Sequence, residues 1–155
     1  MESVKLEELI EKAIAREEEA FEFYSNLEKK VADSVARDAL NFLAGQEKKH
    51  REFLLAYKNG TTGSGALRMS EVIDYNIAQY MDKPDIEKDL NTKDIYLVAA
   101  HRELNSYNFY KGLADMQPAG EVKEMLLSMA SEEMKHKEKV EYLYSNTAFT
   151  QTQGG

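Results

Sequence analysis

The stretch Glu47-Lys48-Lys49-His50 sets a carboxylate and an imidazole one helical turn apart, at positions where the surrounding pattern calls for Leu or Ile. Outward from it, Ala36, Leu40, Leu43, Glu47, His50, Leu54 and Tyr57 recur at alternating steps of four and three. That alternation is the inward seam of a packed α-helix. A glutamate is almost never fully buried unless something pairs with it, so the rest of the chain is expected to supply partners for Glu47.

Upstream, Leu6, Ile10, Ala13, Glu17, Ala20, Tyr24, Leu27 and Val31 keep the same alternation, with Glu17 at a core position. No Pro or Gly occurs before residue 45, which predicts one long helix, a break near Asp33-Ser34, where either residue suits an N-cap, and a second helix to about Tyr57. Glu17 and Glu47 lie at similar distances from that break. Antiparallel packing, at 1.5 Å rise per residue, brings them level.

Residues 58–91 read as a crossover. Asn59-Gly60-Thr61-Thr62-Gly63-Ser64-Gly65 has linker composition, Ser70 is a candidate cap for a short helix to about Met81, and the segment around Pro84 is irregular. From Thr92 the seam resumes as Tyr96, Ala99, Glu103, Ser106, Tyr110 and Leu113. Gln117-Pro118-Ala119-Gly120 makes a turn, with Pro118 suited to a helix start, and Val122, Leu126, Met129, Glu133, His136, Val140 and Leu143 follow. Residues 146–155 are polar, end in glycine and are expected to be a frayed tail.

The two halves, residues 6–57 and 92–143, repeat. An offset of 86 lays Glu17 on Glu103, Phe23-Tyr24 on Phe109-Tyr110, Glu47 on Glu133 and His50 on His136. A two-helix hairpin cannot cover its own apolar face, so the halves are expected to pack into one domain over residues 1–145, with four glutamates and two histidines converging. Four such carboxylates cannot all stay ionised without cations, and two divalent ions cancel their charge while accepting one imidazole each. Stranded buried acids are the costlier alternative.

Composition narrows the chemistry. With no cysteine, disulfides, iron–sulfur clusters and thiol catalysis are excluded, and Glu, Asp or His must hold any metal. A formal charge of −8 argues against nucleic acid, which selects a basic face. No apolar run approaches the ~18 residues of a membrane span, and Glu2, Glu7 and Glu8 are unlike a signal peptide; a cytoplasmic location is expected by default.

At these residues the chain resembles the ferritin-like di-iron carboxylate superfamily, an all-α four-helix bundle with one long crossover. Ala13-Ile14-Ala15-Arg16-Glu17-Glu18-Glu19-Ala20-Phe21-Glu22-Phe23-Tyr24 and Gln46-Glu47-Lys48-Lys49-His50 are most similar to rubrerythrins. The resemblance implies two iron ions, with manganese and zinc as alternatives for such ligands, held by Glu17, Glu47, His50, Glu103, Glu133 and His136. It assigns Glu47 and Glu133 as bridging and Glu17 and Glu103 as terminal. It further implies reduction of hydrogen peroxide or O2, an external rubredoxin-type electron donor, since this chain lacks the family's Cys-rich module, and a homodimer. The family's extra Glu one turn after the third ligand is Ser106 here, which leaves the six-ligand set of bacterioferritin-like sites. A ferroxidase or storage role and a non-redox, metal-stapled bundle are the competing functions.

Other residues have two readings each. Tyr24 and Tyr110, two turns past Glu17 and Glu103, are either hydrogen-bond donors to ligand carboxylates or core packing. Met125, Met129 and Met134 read as core filler, His101 as a surface histidine, and Glu18, Glu19, Lys48 and Lys49 as solvated charge. Glu132 competes with Glu133 for His136, and the repeat favours Glu133 because position 46 is Gln.

Overall fold

The computed structural model describes the backbone of residues 2–60, 77–84 and 91–153, and the side chains of 6–60, 77–79, 81–84 and 91–147. Among these residues the architecture is all-α, as a ferritin-like bundle requires: α1 (Glu2–Lys29), α2 (Ser34–Lys58), α3 (Ile77–Tyr80), α4 (Thr92–Asp115) and α5 (Glu121–Gln153). The chain divides into two compact units, Met1–Ala66 and Leu67–Gly155.

The first unit is the α1–α2 hairpin. Asp33 is the N-cap of α2, its carboxylate accepting from the Ala36 amide at 2.8 Å, which satisfies one of the donors a helix start leaves open. Arg37 ties the turn by donating to the Val31 carbonyl at 2.9 Å. Two ion pairs mark the register, Arg51 with Glu18 at 2.8 Å and Lys58 with Glu11 at 3.0 Å. Seven residues forward on α2 match seven backward on α1, as antiparallel helices demand. The helix ends at Lys58 and the chain turns at Gly60, whose φ of +74° is a conformation that side chains with a Cβ resist.

Most of the expected seam is buried: Ile10, Ala13, Ala20, Tyr24 and Leu27 on α1, Val31 just beyond it, and Ala36, Leu40, Leu43 and Leu54 on α2, while Leu6 and Tyr57 are half-buried.

In the second unit, Asn91 caps α4 by accepting from the Asp94 amide at 2.8 Å. Pro118 lies in the turn rather than at the helix start; α5 begins at Glu121, after Gly120 at φ +150°. Met125, Met129 and Met134 are buried as core. Two features depart from expectation. Ile95 to Ala100 are all buried, so the start of α4 is covered all round instead of along one stripe, because the crossover helix α3 packs on α4. And α5 runs on to Gln153 where a frayed tail was expected from Asn146: no Pro or Gly stands between Gly120 and Gly154 to stop it, and the Thr147 hydroxyl bonds the Leu143 carbonyl one turn back.

Of the crossover, Ile77–Tyr80 is helical, within the span read from Ser70 to Met81; residues 61–76 and 85–90 lie outside the described residues. No helix among the described residues is long and apolar enough to cross a membrane.

Candidate metal centre

Each hairpin buries one copy of the same donor set. In α1–α2, Glu17, Glu47 and His50 are 2%, 1% and 2% exposed; in α4–α5, Glu103, Glu133 and His136 are 1%, 0% and 4% exposed. They are buried because the four-three seam carries them inward wherever it carries leucine. Glu47 and His50, or Glu133 and His136, are three residues apart and so share a helix face, and the antiparallel neighbour presents the third member from across the hairpin.

In the first triad one carboxylate oxygen from each glutamate and one ring nitrogen lie within 4.8 Å of one another, and the same holds for the second. His50 Nδ1 stands 3.6 Å from Glu17 Oε1, and His136 Nδ1 stands 3.7 Å from Glu103 Oε2. Those separations exceed a hydrogen bond, which closes at about 2.7–3.2 Å. Two ligand atoms that each sit about 2.1 Å from a common ion, at tetrahedral to octahedral angles, are roughly 3.0–3.4 Å apart. The His50–Glu17 and His136–Glu103 pairs are a few tenths of an ångström wider than that. Two carboxylates and one imidazole also suit the charge and softness of a divalent first-row metal, so the donor chemistry fits the group that the sequence pattern points to. In both triads Nδ1 is the ring nitrogen nearest the partner carboxylate.

Every proposed ligand is therefore buried. Tyr24 and Tyr110 are both 1% exposed, and each ring meets its neighbour edge to face, Phe23 at 5.7 Å and Phe109 at 5.2 Å between centroids. The repeat thus extends to the packing around the triads. Ser106 is half-buried and supplies no carboxylate. Glu133 rather than Glu132 is fully buried with Glu103 and His136, although Glu132 also brings an oxygen within 4.8 Å of the His136 ring while reaching Lys135 at 3.8 Å. Glu18, Glu19, Lys48 and Lys49 are exposed and His101 is half-buried.

Sequence reasoning missed Lys137 and Glu141. They are 1% and 0% exposed, joined at 3.0 Å, and the second oxygen of Glu141 accepts the Ala78 amide of α3 at 2.8 Å. In sequence the pair looks like an ordinary surface i, i+4 ion pair; the structure buries it, with the Ala78 amide of α3 donating to Glu141. The available hint was that Glu141 directly follows Val140 of the seam.

Residues 1–59 match the family model described as Rubrerythrin, which takes in α1 and α2 with Glu17, Glu47 and His50. No curated protein and no solved structure matches the chain.

Proposed function

We propose that this rubrerythrin-like, all-helical chain is a di-iron redox protein that reduces hydrogen peroxide or O2, its two hairpins closing into one four-helix bundle with one triad lending to each ion. The observation that carries the reading is the duplication of a buried two-carboxylate, one-imidazole set with matching Nδ1-to-carboxylate separations of 3.6 and 3.7 Å. A single copy would be an accident of a glutamate-rich helix; two copies at one repeat offset make a built site. Manganese or zinc would satisfy the same donors.

When bound, a pair of ferrous ions would supply the two electrons that, with two protons, convert hydrogen peroxide to two waters, and an external rubredoxin-type carrier would return them. The chain's own part is to hold and to exclude. By the rubrerythrin resemblance, Glu47 and Glu133 would be the carboxylates shared between the ions, Glu17 and Glu103 would each serve one, and His50 and His136 would add one imidazole apiece. In this reading Tyr24 and Tyr110, buried two turns along the same helices, would hydrogen-bond ligand carboxylates and fix their rotamers. The apolar seam around them keeps bulk water from the reacting atoms.

A second reading, ferroxidase-type iron handling, is favoured by Ser106, since the chain offers six ligands and no seventh carboxylate at that turn. An anaerobic Fe(II) titration of metal-free protein, followed by limiting peroxide, separates the two. Saturation at two irons per chain with rapid oxidation by peroxide is expected, and H136A should lose the stoichiometric binding. Uptake of many irons per chain in a particle of several hundred kDa would establish storage instead. No uptake would refute both.

A further inference from the structure

Glu132 stands beside the second triad without belonging to the six proposed ligands. It directly precedes Glu133 and lies four residues before His136 on α5, a spacing that puts it on the same side of the helix as the imidazole. Its neighbours one turn back, Ser128 and Met129, are 6% and 0% exposed, so this side of α5 faces the core. The Glu132 side chain is accordingly 18% exposed, where the ion-paired Glu11 and Glu18 of α1 are 57% and 50% exposed.

Its hold on that place is loose. The ion pair with Lys135, three residues on, spans 3.8 Å, and the lysine side chain is 41% exposed. That separation exceeds a hydrogen bond, and a wet pair of this kind is weak and screened by salt. On its other side, an oxygen of Glu132 lies within 4.8 Å of a His136 ring nitrogen. Two atoms bound to one ion at about 2.1 Å each stand at most about 4.2 Å apart. A glutamate has three rotatable side-chain bonds, so a difference of this size lies within a change of rotamer, with α5 unmoved.

The repeat supplies the comparison. An offset of 86 lays Glu132 on Gln46, which is four residues before His50 and also half-buried. Each triad has two glutamates and one histidine, but the flanking position carries a carboxylate at the second and a neutral carboxamide at the first. Oxygen-ligand sites tighten as charged ligands are added, so the two triads are unequal by one charge.

We propose that Glu132 is a seventh metal ligand, drawn from Lys135 to an ion it shares with His136, and that the α4–α5 triad therefore fills before the α1–α2 triad. This rests on the reading that the triads hold metal. Glu103, Glu133 and His136 give three protein groups to an ion that takes about four to six ligands, which leaves a position for an anionic oxygen beside the imidazole.

Zinc(II) titration of the metal-free full chain, followed through the ring-nitrogen shifts of its three histidines and by competition with a chelator, tests this. The His136 signals are expected to reach their bound positions before those of His50 move, with the two Kd values at least ten-fold apart. E132Q should weaken the tighter step about ten-fold and bring the two together. E132D keeps the charge but draws the carboxylate back by one methylene, so a ligand role predicts the behaviour of E132Q. Q46E should tighten binding at His50. Simultaneous response of the two histidines, His50 responding first, or E132D matching the unaltered protein would overturn the proposal, the last by showing that nearby charge suffices without ligation. Ring signals that do not move with zinc at all would instead overturn the metal reading beneath it.

Discussion

At the scale of single residues, the chain places charged groups where burial is most expensive and repeats the placement. Glu17, Glu47, Glu103 and Glu133 are each no more than 2% exposed, and an isolated buried carboxylate is tolerated only with compensation. This is why their positions were readable before any coordinates: a glutamate at a leucine position is a conflict that asks for a cause. The tyrosines were less readable, because a phenol at a seam position has no such conflict; its ring belongs in the core whatever its hydroxyl does. The two roles separate experimentally. If Tyr24 and Tyr110 steady ligand carboxylates, Tyr24→Phe and Tyr110→Phe should weaken metal binding about 10–100-fold, measured by competition with a chelator. A drop in melting temperature of the metal-free protein with metal affinity intact would assign them to packing alone.

At the scale of elements, the four long helices, their caps and their order follow from periodicity and from Asp33, Asn91 and Gly60, all of which act locally. What escaped sequence reading depends on contacts distant in the chain. Ile95 to Ala100 look like one stripe plus its flanks until α3 is laid over them, and Lys137 with Glu141 looks like a solvated pair until the same helix covers it. The polar end of α5 was misjudged for another reason: polarity suggested fraying, yet with no breaker before Gly154 the helix simply continues. The buried pair has a measurable signature. Removing one partner strands a charge, so Lys137→Met should destabilise the chain by about 3–5 kcal/mol, and Lys137→Met with Glu141→Gln should recover much of that. Urea titration of both variants decides it; a single-variant loss under 1 kcal/mol would mean that water reaches Glu141.

At the scale of the whole molecule, the metal-free chain carries its own destabilisation, two carboxylates held together in each hairpin, and cations bound there would relieve it. A ligand that binds only the folded state adds about 2.7 kcal/mol at a free concentration 100 times its Kd, which for a chain of this size is roughly 5–10 °C in Tm. Iron(II) or manganese(II) is therefore expected to raise Tm by that amount, and a chelator to reverse it. An unchanged Tm across a full metal titration would make the two triads relics rather than sites.

The covering of one hairpin by α3 also bears on ancestry. A duplicated sequence implies a forebear with a single hairpin, which to bury its acidic triad would have had to pair with an identical copy. In such a symmetric pair both outer faces are the same, so neither can be closed while the other stays open. Fusion through a connecting segment removes that constraint, because one strand of linker has only one face on which to lie. Free of it, the two halves need not match, and they do not: Lys137 is interior while its counterpart Arg51 is partly exposed.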